Sequence, residues 1–382
     1  MKILVLNYEF PPVGGGGGKV SEDICRMLAQ KGHQIRVQTS YVKGLPKYEQ
    51  RDGYQIFRSF TFRKYLDHCS VYEMAAYIVT NFFPALWLTI TWKPDVMHVH
   101  FAVPTGIIGW LINFITGTPY ILTVHAGDVP GGTPDQTDHL FRVIKPFTNP
   151  IWKYAAAITA VSNHIRTLAL KAYHVPIKTI PNGVELKKCI QSHLYTHNPP
   201  RLVFAGRFNP EKNLLFLIDV LARVRNCKWE MDMLGDGRLM EDIKKRINKY
   251  NLENRIHLHG WVDSNRVDKL INQSDILLLP SLSEGFPVVG VKALGHGLAI
   301  LGSKIGGISD LVIDGQNGFL CPVNDFNSFE QALRSMLLSK KKLIHMKMTS
   351  REMAEKFDLV KIADKYESIF VEVINNKRGT TR

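Results

Sequence analysis

The chain has 382 residues, 45% hydrophobic and 21% charged, with a formal net charge of +14. That length calls for two or three domains, and the composition excludes a disordered or fibrous protein. Five cysteines lie scattered with no CxxC pair, which excludes a disulfide framework or zinc knot and suggests a reducing compartment.

The first apolar run, residues 2–6, is far too short for a signal peptide and reads as a buried strand. A glycine run, 14–18, follows it directly. A helix is then predicted over 21–31, with Ile24, Met27 and Leu28 on one face and Gly32 where a left-handed helix end is wanted. Further strands are predicted at 34–39, 96–100, 120–124, 157–161 and 178–180. The apolar stretches 77–92 and 101–124 are interrupted by Asn81 and Pro84 and by several glycines and prolines. They read as helix and strand of an α/β core rather than as membrane spans.

Residues 187–200 carry no period and read as a linker. A second alternation then places strands at 201–205, 230–234, 256–259, 276–279, 299–301 and 318–321, and helices at 213–225, 239–250 and 328–338. The fold class is therefore α/β, with two successive Rossmann-like doubly wound domains facing a cleft, residues 1–186 and 187–356. The C-terminal segment 357–382, helical over 359–374, is placed to pack back on the first domain.

The basic surplus attracts polyanions. No zinc-finger spacing, RNP-type aromatic strand or long basic helix supports a nucleic-acid partner. An anionic membrane surface or an anionic ligand accounts for the surplus better. The glycine run permits close backbone approach at a helix N-terminus, although a flexible turn explains it equally well. It is not a phosphate-binding NTPase loop, because Val13 and Val20 stand where Gly and Ser or Thr are required. It is a poor dinucleotide fingerprint, because Gln38, Thr39 and Ser40 end the second strand without an acid.

The second half says more. Strand 201–205 runs into Gly206-Arg207-Phe208-Asn209-Pro210-Glu211-Lys212, so two cations five residues apart can face the carboxyl edge of a sheet, where they suit a diphosphate. After the apolar strand 276–279, Glu284 precedes a glycine turn and an apolar helix start. A carboxylate there lies beside free amides, although an acid that simply offsets a helix dipole would look the same. Turns at Gly235-Asp236-Gly237, at 306–310 and at 314–319 fit a ligand cleft. His98 and His100, on one strand face without a nearby acid, read as packing residues rather than metal ligands.

In this order the segments resemble the retaining glycosyltransferases of the two-Rossmann GT-B fold (group 1, family 4-like). The resemblance covers nearly the whole chain, from 7–18 through Thr123-Val124-His125-Ala126-Gly127-Asp128, 180–184 and 206–213 to 284–287 and 314–319. It implies a hexosyltransferase that uses a nucleotide-sugar donor and a glycan or lipid-linked acceptor, with no cofactor and no obligatory metal, located in the cytoplasm or at the inner face of the membrane. Arg207 and Lys212 match the family's diphosphate-binding pair, and Glu284 the first acid of its paired-glutamate motif. Phe286, Val288 and Val289 match positions whose backbone follows the phosphates. Gly206 and Gly235 belong to the donor turns. His125 matches a histidine near the sugar's reactive face, and Gly16 and Gly17 a loop touching both substrates.

One departure stands out: Lys292 occupies the place of the family's second glutamate. A lysine has three donors and no acceptor, so it cannot take hydrogen bonds from ribose hydroxyls. It could touch a phosphate, pair with Glu284, or mark a lineage that holds its ribose otherwise. Two competing readings follow: an inactive glycan- or partner-binding member of the fold, motivated by Lys292, and a Rossmann oxidoreductase, which the missing ribose acid disfavours.

Overall fold

The computed structural model describes residues 1–66, 69–189 and 196–380, of which 134–140, 142–144 and 378–380 are described by backbone alone. Residues 190–195 of the segment read as a linker, and the last two residues of the chain, lie outside the described residues. The chain divides into two compact units, Met1–Asn182 with Leu359–Arg382, and Gly183–Asp358.

The first unit runs β1 (Lys2–Leu6), α1 (Gly16–Gln30), β2 (Gln34–Tyr41), β3 (Tyr48–Arg51), β4 (Tyr54–Phe60), α2 (Val71–Trp92), β5 (Val96–His100) and α3 (Thr105–Thr116). It continues with β6 (Tyr120–Val124), α4 (Pro134–Lys153), β7 (Ala157–Ala160), α5 (Asn163–Ala172) and β8 (Lys178–Thr179). Among the described residues its sheet has the order β3-β4-β2-β1-β5-β6-β7-β8, parallel throughout except for the β3–β4 pair. Strands β5 and β6 are buried along their whole length, so that even their polar residues His98, His100 and Thr123 are enclosed.

Three features of this unit differ from the sequence reading. The last three glycines of the run 14–18 do not sit in a loop; they form the first turn of α1. The hairpin of β3 and β4 was not predicted, because its partly buried strands alternate polar and apolar residues within a charged stretch. Helix α2 is longer than the apolar stretch suggested and continues through Pro84. A proline removes one helical hydrogen bond, and here Tyr77, Asn81, Ala85, Leu88 and Thr89 anchor the helix by burying one face. A capping box fixes its start: Ser70 accepts from the Glu73 amide, and the Glu73 side chain accepts from Ser70 N–H.

The second unit runs β9 (Arg201–Ala205), α6 (Leu214–Arg223), β10 (Glu230–Leu234), α7 (Met240–Lys249), β11 (Ile256–Leu258), α8 (Ser264–Asn272) and β12 (Ile276–Leu279). It ends with α9 (Val288–Gly295), β13 (Ala299–Ser303), α10 (Gly306–Ser309), β14 (Gly318–Cys321), α11 (Phe326–Leu338) and α12 (Lys340–Ala354). Its sheet, β11-β10-β9-β12-β13-β14, is wholly parallel among the described residues. The final helix, α13 (Leu359–Thr380), belongs to the first unit. Leu359 and Ala363 pack on Met27 of α1, and Tyr366 and Phe370 pack their rings 5.0 and 5.3 Å from that of His98. Lys31 pairs with Asp364 and Glu367 at the helix surface.

A buried ion pair ties α12 to the second sheet. Lys347 donates to Asp275 Oδ1 at 2.8 Å, with side chains 3% and 0% exposed. The other carboxylate oxygen accepts from the amides of Arg201 (2.9 Å) and His197 (3.1 Å), which pins the start of β9 beside β12. Removing the cation leaves the buried carboxylate only the two amides and the His197 imidazole, 3.0 Å away. Lys347→Ala should therefore cost about 3–5 kcal/mol and lower the thermal unfolding midpoint accordingly; an unchanged midpoint by calorimetry would contradict this role.

Candidate active site

In the second unit the loops at the carboxyl edge of the sheet are laced together by their backbones. The Gly206 amide donates to Leu234 O at 2.9 Å, Phe208 N–H to Asp236 O at 2.8 Å, and Gly235 N–H to Gly260 O at 2.8 Å. Gly235 has φ +138°, and a Cβ there would lie 1.9 Å from Gly206 O, so only glycine lets these two turns meet.

Lys212 ends a short 3₁₀ turn, Pro210–Lys212, and Asn213 follows in the left-handed conformation, φ 55°. That turn is stitched to the loop after β12. Leu282 N–H donates to Glu211 O at 2.8 Å, and the Asn213 side chain donates to Pro280 O at 3.2 Å. The result brings Lys212 Nζ to 2.6 Å from Glu284 Oε1, with the two side chains 20% and 11% exposed. The same carboxylate oxygen accepts from Ser281 Oγ at 3.0 Å. Arg207 lies in the same strand-to-helix loop and is half-buried.

Glu284 leads into α9, whose first residues are Val288 and Val289. Amides in the first turn of a helix have no intrahelical acceptor, and they carry the positive end of its dipole. The backbone beside them is crowded: Gly307 N–H donates to Glu284 O at 3.2 Å, and a Cβ at Gly307 would lie 2.1 Å from Gly285 O. The Phe286 ring is buried against Phe357, centroids 5.7 Å apart, which keeps the ring itself away from a ligand. Lys292 pairs with Asp268 on α8 at 2.7 Å and donates to Ser264 Oγ at 3.1 Å. Of the options left open for it, pairing with Glu284 is not the one adopted.

The remaining candidates gather in the first unit. His125 follows β6, and its ring stacks on that of Phe101 at 4.3 Å. Its Nε2 lies 3.4 Å from His100 Nδ1. Gly17 sits in the first turn of α1 directly over this pair. A Cβ there would meet the Phe101 ring at 2.7 Å and His125 Nδ1 at 3.3 Å, so glycine is required for the helix to approach. Gly16 beside it is exposed.

Asp128, to which the sequence reading gave no role, holds His125 in place. Its buried carboxyl accepts from the amides of His125 (2.8 Å), Ala102 (2.8 Å) and Val103 (3.4 Å). Burial pushes it up to about 7, and the three amides oppose that rise. The three-residue spacing from His125 is the capping pattern that would have marked it. The partner of Lys292 left no such trace, since Asp268 is 24 residues away. His98 proves to be a packing residue, donating or accepting with Thr123 Oγ1 at 2.8 Å under the α13 rings.

The segment 187–353 matches the family model for glycosyl transferases group 1, and 14–188 that for glycosyltransferase family 4. The chain is a group 1 glycosyltransferase. It is 28% identical over 304 residues to the UDP-Gal:alpha-D-GlcNAc-diphosphoundecaprenol alpha-1,3-galactosyltransferase of Escherichia coli, covering 75% of this chain and 77% of that one. It is 25% identical over 398 residues to the N-acetyl-alpha-D-glucosaminyl L-malate synthase of Bacillus anthracis, covering 99% of both. Its fold matches that of sucrose-phosphate synthase from Thermosynechococcus elongatus with a TM-score of 0.81 at 19% identity, over 98% of this chain and 99% of that one. The glycosyltransferase thus carries the α/β GT-B fold expected from its sequence and works with a sugar-nucleotide donor.

Burial pushes the imidazoles of His125 down to about 4 and of His98 to about 3, and His100 well below its ordinary value. A histidine depressed in the fold supports folding fully above its unfolded value near 6.5 and withdraws that support as pH falls through 4 and 3. The glycosyltransferase should therefore keep His125 neutral from pH 8 to about 5, while stability falls progressively as pH drops from about 6.5 towards 4. NMR of the imidazole carbons checks it; a His125 transition near 6.5 would refute the neutral state.

Proposed function

We propose that the enzyme transfers a hexosyl unit, with retention at the anomeric carbon, from a nucleoside-diphosphate sugar to a hydroxyl of a glycan or glycolipid acceptor, in the cytoplasm. The observation that carries this reading is the meeting of Lys212 and Glu284 at 2.6 Å beside the start of α9. A cation, a carboxylate and a helix N-terminus at one sheet edge suit a sugar pyrophosphate. The carboxylate accepts from sugar hydroxyls, while the cation and the amides take the phosphates.

In the reaction the bond between the anomeric carbon and the diphosphate oxygen breaks, and the acceptor oxygen bonds to that carbon on the same face. The acceptor proton passes to the departing phosphate. Charge grows on that phosphate, and Arg207, Lys212 and the amides of Val288 and Val289 are preorganised to stabilise it. Neutral His125 serves as a hydrogen-bond partner near the sugar rather than as a cation. With two cations of one loop assigned to the leaving group, the reaction requires no metal. The undecaprenyl-linked acceptor named for the E. coli relative makes a lipid-borne hydroxyl the first acceptor class to test.

A second reading, a weakly active or inactive sugar-binding member of the fold, is favoured by one observation, the engagement of Lys292 with Asp268 instead of a ribose. Donor binding without turnover would support it.

Arg207→Ala and Lys212→Ala should each lower turnover of a UDP-sugar by about 10²–10³ with little change in melting temperature, the loss typical of one removed oxyanion donor. EDTA should leave the rate unchanged, and the proton coupling at the product's anomeric carbon should match that of the donor. Wild-type rates in both variants, or an inverted product, would reject the mechanism.

A further inference from the structure

Helix α2 is long and apolar enough to cross a membrane, yet its packing holds it to the sheet. One face is fixed to the sheet, with Tyr77, Asn81, Ala85, Leu88 and Thr89 buried. Asn81 accepts a hydrogen bond from Gln38 of β2 at 2.7 Å. The opposite face is exposed and largely apolar. Tyr72, Val79, Phe83, Trp87 and Ile90 recur at helical spacing and are 89, 65, 68, 62 and 55% exposed.

No Asp, Glu, Lys or Arg occurs from residue 74 to 92 or in α3, which packs beside α2 and exposes Phe114. A stripe of about 18 residues spans about 27 Å of helix. Solvent-facing apolar surface of that extent marks an interaction site. Cations stand at both ends of it. Exposed Lys64 precedes the helix, and exposed Lys93 caps it. Lys2 donates to Trp92 O at 3.2 Å, and the Arg36 guanidinium lies 4.6 Å from the Trp92 ring.

We infer that α2 lies flat in the surface of an anionic lipid bilayer, its Tyr–Phe–Trp face sunk into the headgroup boundary and the flanking cations paired with lipid phosphates. Aromatic side chains with basic flanks are the chemistry of an interfacial helix. A second copy of the chain fits worse, because exposed Lys64 and Lys93 stand at the two ends and the one carboxylate of the helix, Glu73, is taken up in its capping box, so a paired α2 would find no free acid for these cations. The surface is continuous with the candidate active site of its own unit. The segment before α2 exposes Phe62, Tyr65 and Leu66, and Leu66 O accepts from the amide of Gly14 at 2.6 Å, at the start of the glycine run. Docking would thus hold that run against the layer in which a lipid-borne acceptor resides, which rests on the acceptor class proposed above.

The test is flotation of the full chain with vesicles of phosphatidylcholine alone and of equimolar phosphatidylcholine and phosphatidylglycerol. Wild type should bind the mixed vesicles, more weakly at high salt. Phe83→Ser with Trp87→Ser should bind at least about tenfold more weakly at an unchanged melting temperature. Lys64→Glu with Lys93→Glu should remove the preference for phosphatidylglycerol. The inference is overturned if wild type does not float, if the serine pair floats like wild type, or if light scattering finds a dimer that the serine pair converts to a monomer. Thermal shift by UDP on the same samples separates the two claims. Vesicle failure with donor binding intact removes only this inference, and donor failure with flotation intact removes only the donor reading.

Discussion

Both units of the chain depend on one constraint, the reversal of strand order in a parallel sheet. In the second unit β10 and β11 extend to one side of β9, and β12, β13 and β14 to the other. The loops leaving β9 and β12 must therefore part in opposite directions, and the backbone opens between them. Lys212 comes from the first of those loops and Glu284 from the second. The first unit repeats the arrangement: its order reverses between β1 and β5. The glycine run follows β1, and Phe101 follows β5. They meet where a Cβ on Gly17 would strike the Phe101 ring. Neither site needs an unusual scaffold. Each is the place the topology leaves open.

Closeness at such a point has an energetic consequence. A lysine and a glutamate held 2.6 Å apart in a half-buried loop cost side-chain entropy and desolvation, and surface pairs contribute little to stability. Here the geometry is fixed by the backbone, through the Leu282–Glu211 bond and the Asn213 side chain, before the charges interact. The pair is thus positioned rather than self-assembling, as electrostatic preorganisation requires. The same holds around His125. Phe101 stacks on its ring, and Asp128 holds its backbone with the amides of the next loop. In that environment burial holds the imidazole's proton affinity low, down to about 4.

Much of this was legible in the sequence for identifiable reasons. Strands rich in buried apolar residues announce themselves as short runs, so β1, β5, β6, β9, β10, β12 and β14 were placed within a residue or so. Half-buried β3 and β4 gave no such run. Pro84 and Asn81 made α2 look broken, because a sequence does not reveal that the packing of one face outweighs a single lost hydrogen bond. Arg207, Lys212 and Glu284 were found because they flank strand ends. Ser281 and Asp268 were missed because their importance comes only from what lies across a loop or a neighbouring helix. The glycines were noticed but misread as loop. Three of them open α1, where what matters is the missing Cβ and not flexibility.

Lys292 shows how a departure at one position can be smaller in space than in sequence. Read along the chain, it replaces an acceptor with a donor and leaves the ribose contact unfilled. In three dimensions it draws the Asp268 carboxylate to 2.7 Å, so acceptor oxygens still stand between α8 and α9. An uncompensated lysine would have made that surface electropositive and attractive to phosphate in the wrong place. A lysine neutralised by Asp268 and tethered to Ser264 does not. The cations left to meet a diphosphate are then those on the β9 loop. Positive charge is thus balanced in both places, on α9 by Asp268 and on the β9 loop by Glu284, the carboxylate that the proposed reaction turns towards sugar hydroxyls.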